Sequence, residues 1–383
     1  MGRPFSFLCV SVILGMILAY SLELTVDGYL LIGLLVLMIL SALFYEKYSL
    51  IFICLSFVLV GNYVFSIHMK NNTILREYPL ESLALMVEIK GVGIEQGRRI
   101  QYDVDILKLL TNDGEVIINE RARLQINNGG SLPIKVEPFD ILTLKNVNLI
   151  EDFDKRELDS YQLYLRGKGF KAILEVDGKD IIQIDKYENV NLINSSYRIR
   201  SYIENFFDEH LPFVESGLLK SIMFGNQGYL DRETLELFSI SGTAHIIAVS
   251  GLHVGVLVSI LHYILSFFNM GKKYTLLVTM SILLFYSAIV NFPVSIIRAI
   301  AMYYLYVLGY FLQRRYDAIN SLMMMALLLL LINPLNLFSI SFQLSFTATL
   351  SILLFFPWVN KLLKVFPKYL QSLLAVTIAA QLG

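Results

Sequence analysis

Apolar runs long enough to cross a bilayer lie on both sides of one polar block, which limits this chain to a membrane architecture with a soluble insertion. A spanning helix needs about 20 mostly apolar residues, because the bilayer core offers no water to exposed backbone groups. Three such runs occupy 5–21, 28–45 and 48–68. Beyond the polar block they recur at 243–268, 274–292, 294–313, 317–332 and 338–357, and a last one begins near 369. Arg3 ahead of the first run gives it the look of a signal peptide. Ala19-Tyr20-Ser21 is a poor small-residue cleavage site, however, and two more runs follow, so it reads as a retained span. Only 16% of residues are charged, against roughly 25% in soluble proteins. The two cysteines, Cys9 and Cys54, sit in apolar runs without metal-ligand or disulfide spacing and read as buried thiols.

The charges that exist are unevenly placed. Residues 70–200 hold 19 Lys+Arg and 21 Asp+Glu, a soluble density close to neutral. Residues 243–383 hold eight basic residues and one acid, Asp317. Basic residues in short loops mark the cytoplasmic side of a membrane. Lys272 and Lys273, then Arg314 and Arg315, then Lys361, Lys364 and Lys368 fall in alternate loops, and the loops between them lack Lys and Arg. Residue 243 therefore starts outside. From the other end, Arg3 lies inside, the Glu23/Asp27 loop outside and the Glu46–Lys47 loop inside, so the third span also exits outside. Both ends place residues 70–240 on the extracytoplasmic face and the amino terminus in the cytoplasm.

Within the polar block the period is two. Leu83, Leu85, Val87 and Ile89 share one face, and Ile100, Tyr102, Val104, Ile106 and Lys108 another. Glu115–Ile126 and Asp140–Ile150 read as further strands, and Lys171–Val176 with Ile181–Ile184 as a closing pair. Turn signals at Gly91-Val92-Gly93, Asn112-Asp113-Gly114, Asn127 to Gly130 and Asp177-Gly178 separate them, and Glu157–Gly167 reads as a helix. About five strands with a helix before the last pair suit a Greek-key barrel of the OB type. Such barrels often bind single-stranded nucleic acid; this block is slightly acidic with few strand aromatics, so a docking role stays equally open. Residues 194–211 form an amphipathic helix, with Tyr197, Ile199, Tyr202, Ile203, Phe206 and Phe207 against Arg198, Arg200, Glu204 and Asp208. It fits either the outer membrane surface or the barrel wall.

The most informative stretch is 217–255. Asp231 is placed to cap a helix reaching about Phe238. Ser241-Gly242-Thr243 breaks the chain, and the run from His245 to Gly255 then sets two imidazoles, Ser250 and the glycines Gly251 and Gly255 in an apolar stretch. Polar groups at membrane depth face cavities or other helices, and broken helices there commonly line substrate paths. This stretch resembles the signature of the ComEC family of bacterial inner-membrane competence channels. A second similarity runs through Val294-Ser295 to Arg298, Ala299 and Met302, then Gly309, Arg314-Arg315, Asp317, Asn333-Pro334 and Ser341 to Phe346.

The resemblance covers nearly the whole chain. It implies a polytopic α-helical membrane protein with an inserted all-β OB-like domain. Residues 1–69 supply three spans, 70–192 the extracytoplasmic barrel, 193–242 interfacial helices, and 243–383 about six channel spans with the last incomplete. It further implies passage of single-stranded DNA through the inner membrane during transformation, alongside a separate DNA receptor and a cytoplasmic motor. Many relatives carry a zinc nuclease domain farther on. No His-x-His-x-Asp-His cluster and no Walker-type loop occur here, so neither enzymatic activity nor a cofactor is expected from this chain.

The expected substrate path comprises His245, Ser250, Gly251, His253, Arg298, Gln343 and Ser345, with Lys272, Lys273, Arg314 and Arg315 as a basic cytoplasmic mouth. His245 and His253 are too far apart in sequence for a helical metal pair; they read as pore-lining groups or as histidines bonded between helices. Ser250 lacks the frame and the acid of a hydrolase nucleophile. Arg298 suits a phosphate-bearing substrate, with snorkelling towards the outer loop as its alternative. Gln343 and Ser345 suit hydrogen bonds between helices, and Asp317 suits a helix amino terminus. A small-solute transporter, or a scaffold whose barrel binds a partner, would explain the same composition.

Overall fold

A computed structural model describes residues 3–22, 26–44, 49–70, 73–80, 83–91, 93–96, 99–111, 114–127, 136–153, 160–186, 192–225, 227–243, 247, 251–313 and 317–382. His245, Ser250, Arg314 and Arg315 fall outside these residues. The chain divides into two compact units, one of residues 1–71 with 301–383 and one of residues 72–300.

The first unit holds α1 (Pro4–Leu22), α2 (Gly28–Phe44) and α3 (Ser49–Lys70) with α11 (Ala318–Ile332), α12 (Ile340–Leu362) and α13 (Lys368–Gln381). Three of its helices, Pro4–Leu22, Ser49–Met69 and Ile340–Leu362, are long and apolar enough to cross a membrane. Leu31–Leu43 and Ala318–Ile332 are apolar but shorter. The backbones of α1 and α3 touch where both helices lack side chains. A Cβ on Gly15 would lie 1.9 Å from the Val58 carbonyl oxygen, and one on Gly61 2.3 Å from that of Val12. Small residues permit this approach, and the close packing then gains dispersion energy. Tyr20, Phe65 and Phe338 form an aromatic cluster with centroids 4.8–6.2 Å apart. Asp317 caps α11 by accepting from the Asn320 amide at 2.8 Å, and it also pairs with Arg3 at 3.3 Å.

The second unit holds the strands, the helices α4 (Ser160–Gly167), α5 (Leu192–His210), α6 (Phe213–Phe224) and α7 (Arg232–Ile240), and then α8 (Gly251–Phe267) and α9 (Lys272–Ile289). It ends within α10 (Val294–Phe311), at Ile300. Asp231 caps α7 by accepting from the Thr234 amide at 2.7 Å. The strands are β1 (Ala84–Ile89), β2 (Ile94–Gln96), β3 (Arg99–Thr111), β4 (Gly114–Asn127), β5 (Ile141–Leu144), β6 (Asn148–Asp152), β7 (Phe170–Asp177) and β8 (Ile181–Asp185). They pair in the order β6-β7-β4-β3-β1-β5-β8, with β2 on β3. β4 and β7 run parallel. Only residues 145–147 separate β5, next to one end of this order, from β6 at the other end.

Three strand expectations are corrected. The stretch 140–150 is two strands broken at residues 145–147, where Asn146 takes φ 51°. β7 and β8 do not pair with each other; β7 lies between β4 and β6, and β8 lies on β5. The short helical turn Gly178–Asp180 carries the chain past the break opposite, tied there by Lys145 N–H to the Asp180 carbonyl at 3.0 Å. The period in β3 also slips. Between Ile106 and Lys108 the register shifts, so Leu109 is buried and Lys108 turns out to pair with Glu115 at 2.6 Å. A bulge does this because an aliphatic residue at 109 fills the core where a lysine at 108 cannot.

The core lies inside the strands and includes Leu85, Val87, Val104, Ile106, Leu124, Leu142, Leu144 and Leu174. Phe153, Leu165, Phe170 and Ile173 form a second cluster, and Arg166 of α4 donates to the Phe153 carbonyl beside it.

Candidate functional site

Two features of the second unit stand out. The first is on α8 and α10. A Cβ on Gly251 would lie 3.3 Å from Arg298 Nη2 and 3.8 Å from the Ala299 Cβ. The glycine at the head of α8 thus leaves the space beside the Arg298 guanidinium. Arg298 is half-buried, as is His253 two residues along α8. A guanidinium on an apolar helix is costly unless it faces a polar partner or a hydrated path. Gly251 and Arg298 are therefore brought together across 47 residues of sequence. Gln343 and Ser345 belong to the other unit. There Gln343 is exposed and donates at 2.8 Å to the Leu337 carbonyl, closing the helical turn Pro334–Phe338. Its amide is thus engaged locally. Lys272 and Lys273 are exposed at the head of α9. Among the described residues no cluster of His, Cys, Asp or Glu is arranged to hold a metal ion.

The second feature was not foreseen. Arg200 and Glu204, expected on the wet face of the amphipathic helix, are buried, with side chains only 6% and 10% exposed. Arg200 Nε donates to Glu204 Oε1 at 2.7 Å and its Nη2 donates to the Tyr229 hydroxyl at 2.8 Å. Tyr229 donates in turn to Glu204 at 2.6 Å, and Arg200 stacks 4.8 Å from the Phe224 ring. Burial alone would lower the Arg200 pKa, but Tyr229 and Glu204 reverse this and hold it above its ordinary value. Burial, with Glu204 adding to it, pushes the Tyr229 phenol up, so it stays a neutral donor. Arg200 also reaches the carbonyl of Ile289, the last residue of α9, at 3.4 Å. One turn earlier, Tyr197 donates to the Lys90 carbonyl at 2.9 Å, and its hydroxyl lies 3.3 Å from Asn291 Oδ1. Tyr197 also meets Phe139 edge-on at 5.6 Å.

One face of α5 thus joins the strand domain, through Lys90 and Phe139, to the turn between α9 and α10. The sequence signal was the Arg200/Glu204 spacing of four, which suits an ion pair on a helix whether wet or dry.

This part of the chain has known relatives. Residues 222–383, which include the Gly251–Arg298 contact, match the family model described as Competence protein. The carboxyl-terminal part of the chain is thus similar to the competence protein family. The chain is 28% identical over 193 residues to ComE operon protein 3 of Bacillus subtilis, covering 50% of this chain and 24% of that one. It is 30% identical over 150 residues to Recombination protein 2 of Haemophilus influenzae, covering 37% and 19%. An uncharacterized protein of Aquifex aeolicus is 30% identical over 235 residues, covering 59% and 54%. The chain therefore spans between about a fifth and about half of the length of these relatives. No solved structure matches it.

Proposed function

We propose that the chain is a membrane-embedded part of a DNA-uptake apparatus, and that single-stranded DNA passes among its carboxyl-terminal helices into the cytoplasm. The observation that carries this reading is the Arg298 guanidinium set beside Gly251 inside the competence-family residues. A guanidinium recognises phosphate oxygens in a planar, bidentate way, and a glycine opposite leaves room for a backbone to approach. On this reading the amino terminus is cytoplasmic, and the strand domain lies outside the inner membrane. Lys272, Lys273, Arg314 and Arg315 then draw the polyanion inward at the cytoplasmic mouth. The chain itself does no covalent chemistry; a separate receptor delivers the strand and a cytoplasmic motor supplies the energy.

The strand domain reads best as an OB-type barrel used for docking rather than for capturing DNA. The short link from β5 to β6, which lie towards opposite ends of the strand order, and the parallel β4–β7 contact support the barrel. The docking role is favoured because the cations on its strands are met by carboxylates. Arg121 pairs with Asp105 at 3.1 Å, Arg123 with Asp103 at 3.2 Å and Arg99 with Glu175 at 3.2 Å. A polyanion would have to displace each of these.

The test is DNA import by Arg298→Ala, Arg298→Lys and His253→Ala variants expressed in the native host, with membrane insertion measured in parallel. Arg298→Ala should lower import about tenfold or more, and Arg298→Lys less, since lysine keeps the charge but loses the fork. Native import by normally inserted Arg298→Ala and His253→Ala would reject the channel reading.

A further inference from the structure

We infer that α5 and the start of α6 form an amphipathic anchor whose exposed aromatic face inserts into the lipid interface on the side where α9 ends. This rests on the membrane reading above. α5 has three faces rather than two. The first, with Ser196, Tyr197, Arg200 and Glu204, is buried. The second, with Arg198, Ser201, Asn205 and Glu209, is exposed and polar. The third is exposed and apolar: Ile199 is 42% exposed, Tyr202 73% and Phe206 48%, and Phe213 continues it at the start of α6 with 78%. Spacings of three and four place Ile199, Tyr202 and Phe206 on a single stripe, and His210 stacks 4.3 Å from the Phe206 ring at its end. A water-facing helix would not normally keep its largest aromatics on one exposed line.

The position of α5 identifies what covers that stripe. Its buried face is bonded to the Ile289 carbonyl, where α9 ends, and to Asn291 just beyond. α9 begins at Lys272 and runs 18 residues, about 27 Å at 1.5 Å per residue, close to the roughly 30 Å thickness of a hydrocarbon core. On the membrane reading α9 has its two lysines at one interface and Ile289 at the other, which puts α5 at that second height. The flank of α9 is itself exposed and apolar, at Leu277 and Leu284 among others. The α5 stripe continues that lipid-facing surface with Tyr and Phe, the side chains suited to the headgroup boundary.

The chain has one tryptophan, Trp358, exposed on α12, which allows a clean test in nanodiscs of phosphatidylcholine with brominated acyl chains. Native protein first reports whether Trp358 meets lipid. Phe206→Trp and Tyr202→Trp are then placed singly in a Trp358→Phe background, with Ser201→Trp as the polar-face control. Emission from Trp at 206 and 202 should fall by roughly half with lipid brominated near the headgroup. It should fall less with lipid brominated near the chain end, and emission at 201 should hardly change. If Trp358 is quenched but positions 202 and 206 respond only to an aqueous quencher, or to neither quencher, the anchor is wrong while the membrane reading stands. If Trp358 is unquenched as well, the membrane reading fails and the anchor with it.

Discussion

Replacing Arg200 with Met tests whether the buried ion pair holds the strand domain to the α9–α10 turn. The substitution keeps most of the side-chain volume and removes the guanidinium. It deletes the bonds to Glu204 at 2.7 Å and to Tyr229 at 2.8 Å, and the weaker one to Ile289 at 3.4 Å. The Glu204 carboxylate, its side chain only 10% exposed, then keeps just the Tyr229 hydroxyl among these partners. Removing one partner of a buried pair costs about 3–5 kcal/mol, mostly through the stranded charge, whereas replacing both with apolar groups is often near neutral. Arg200→Met should therefore raise the opening constant of this contact by about two to three and a half decades, at about 1.4 kcal/mol per decade. Arg200→Met with Glu204→Leu should recover most of that. The assay is hydrogen exchange in nanodiscs, read at the amides of residues 89–91 and 290–292, on the two sides of the α5 contact. Exchange in the single variant within about threefold of native would refute the reasoning. So would a double variant as exposed as the single one, because the loss would then not come from an uncompensated charge.

Two other substitutions or conditions address separate parts of the chain. Gly15→Leu should separate α1 from α3, since even a Cβ there falls 1.9 Å from the Val58 carbonyl oxygen. The expected signature is faster proteolysis of the first unit and reduced accumulation in membranes, and unchanged resistance would count against the crossing. Asp208 offers a pH probe. Burial would raise its pKa, but hydrogen bonds from Lys220 and Ser216, both at 2.6 Å, outweigh that and hold it below the ordinary 3.8. The stabilisation is thus complete above pH 3.8 and is lost as pH falls through the lower folded-state value. Asp208→Asn should remove that acid-side dependence of α5–α6 protection, and an identical pH profile in the variant would show that the titration lies elsewhere.

The helices and most strands were legible because their periods are strong. Pro4–Leu22, Gly28–Phe44 and Ser49–Lys70 fall on apolar runs that leave few alternatives, and β1 keeps a strict inward alternation at Leu85, Val87 and Ile89. What escaped was wherever a neighbour, rather than the local pattern, decides. The slip at Leu107 depends on Leu109 filling the core; an alternation argument carries straight through it. The break at residues 145–147 depends on its partner break at Gly178–Asp180, some thirty residues on. The α5 faces were assigned only in part for the same reason: Tyr197 is buried and Arg198 and Asp208 are wet as polarity says, but Arg200 and Glu204 are buried because they pair with each other, with the Tyr229 hydroxyl and with the Ile289 carbonyl. In the candidate site, Arg298 was visible as a charge in an apolar run, but its contact with Gly251 requires α8 and α10 to cross.

The two features of the second unit are mechanically in series. The α9–α10 turn carries two non-glycine residues with left-handed backbone, Asn291 at φ 61° and Phe292 at φ 50°. For a bulky residue such as Phe this costs on the order of 1–3 kcal/mol and persists only where surroundings over-determine it. Those surroundings are identifiable. The Phe292 amide donates to the Ser287 carbonyl at 2.8 Å, Pro293 fixes the following φ, and α5 grips the turn from outside through Ile289 and Asn291. Arg298 follows five residues after Pro293, little more than one helical turn along α10, so the direction in which α10 leaves the turn sets where the guanidinium meets Gly251. The strand domain, held by Lys90 and Phe139 to the same face of α5, is thus linked to that contact through α5 and the turn. On the proposed reading, a strand domain that docks rather than binds DNA would still govern import if its docking stabilises this turn, which ties the ion-paired strand surface and residues 222–383 to one explanation rather than two.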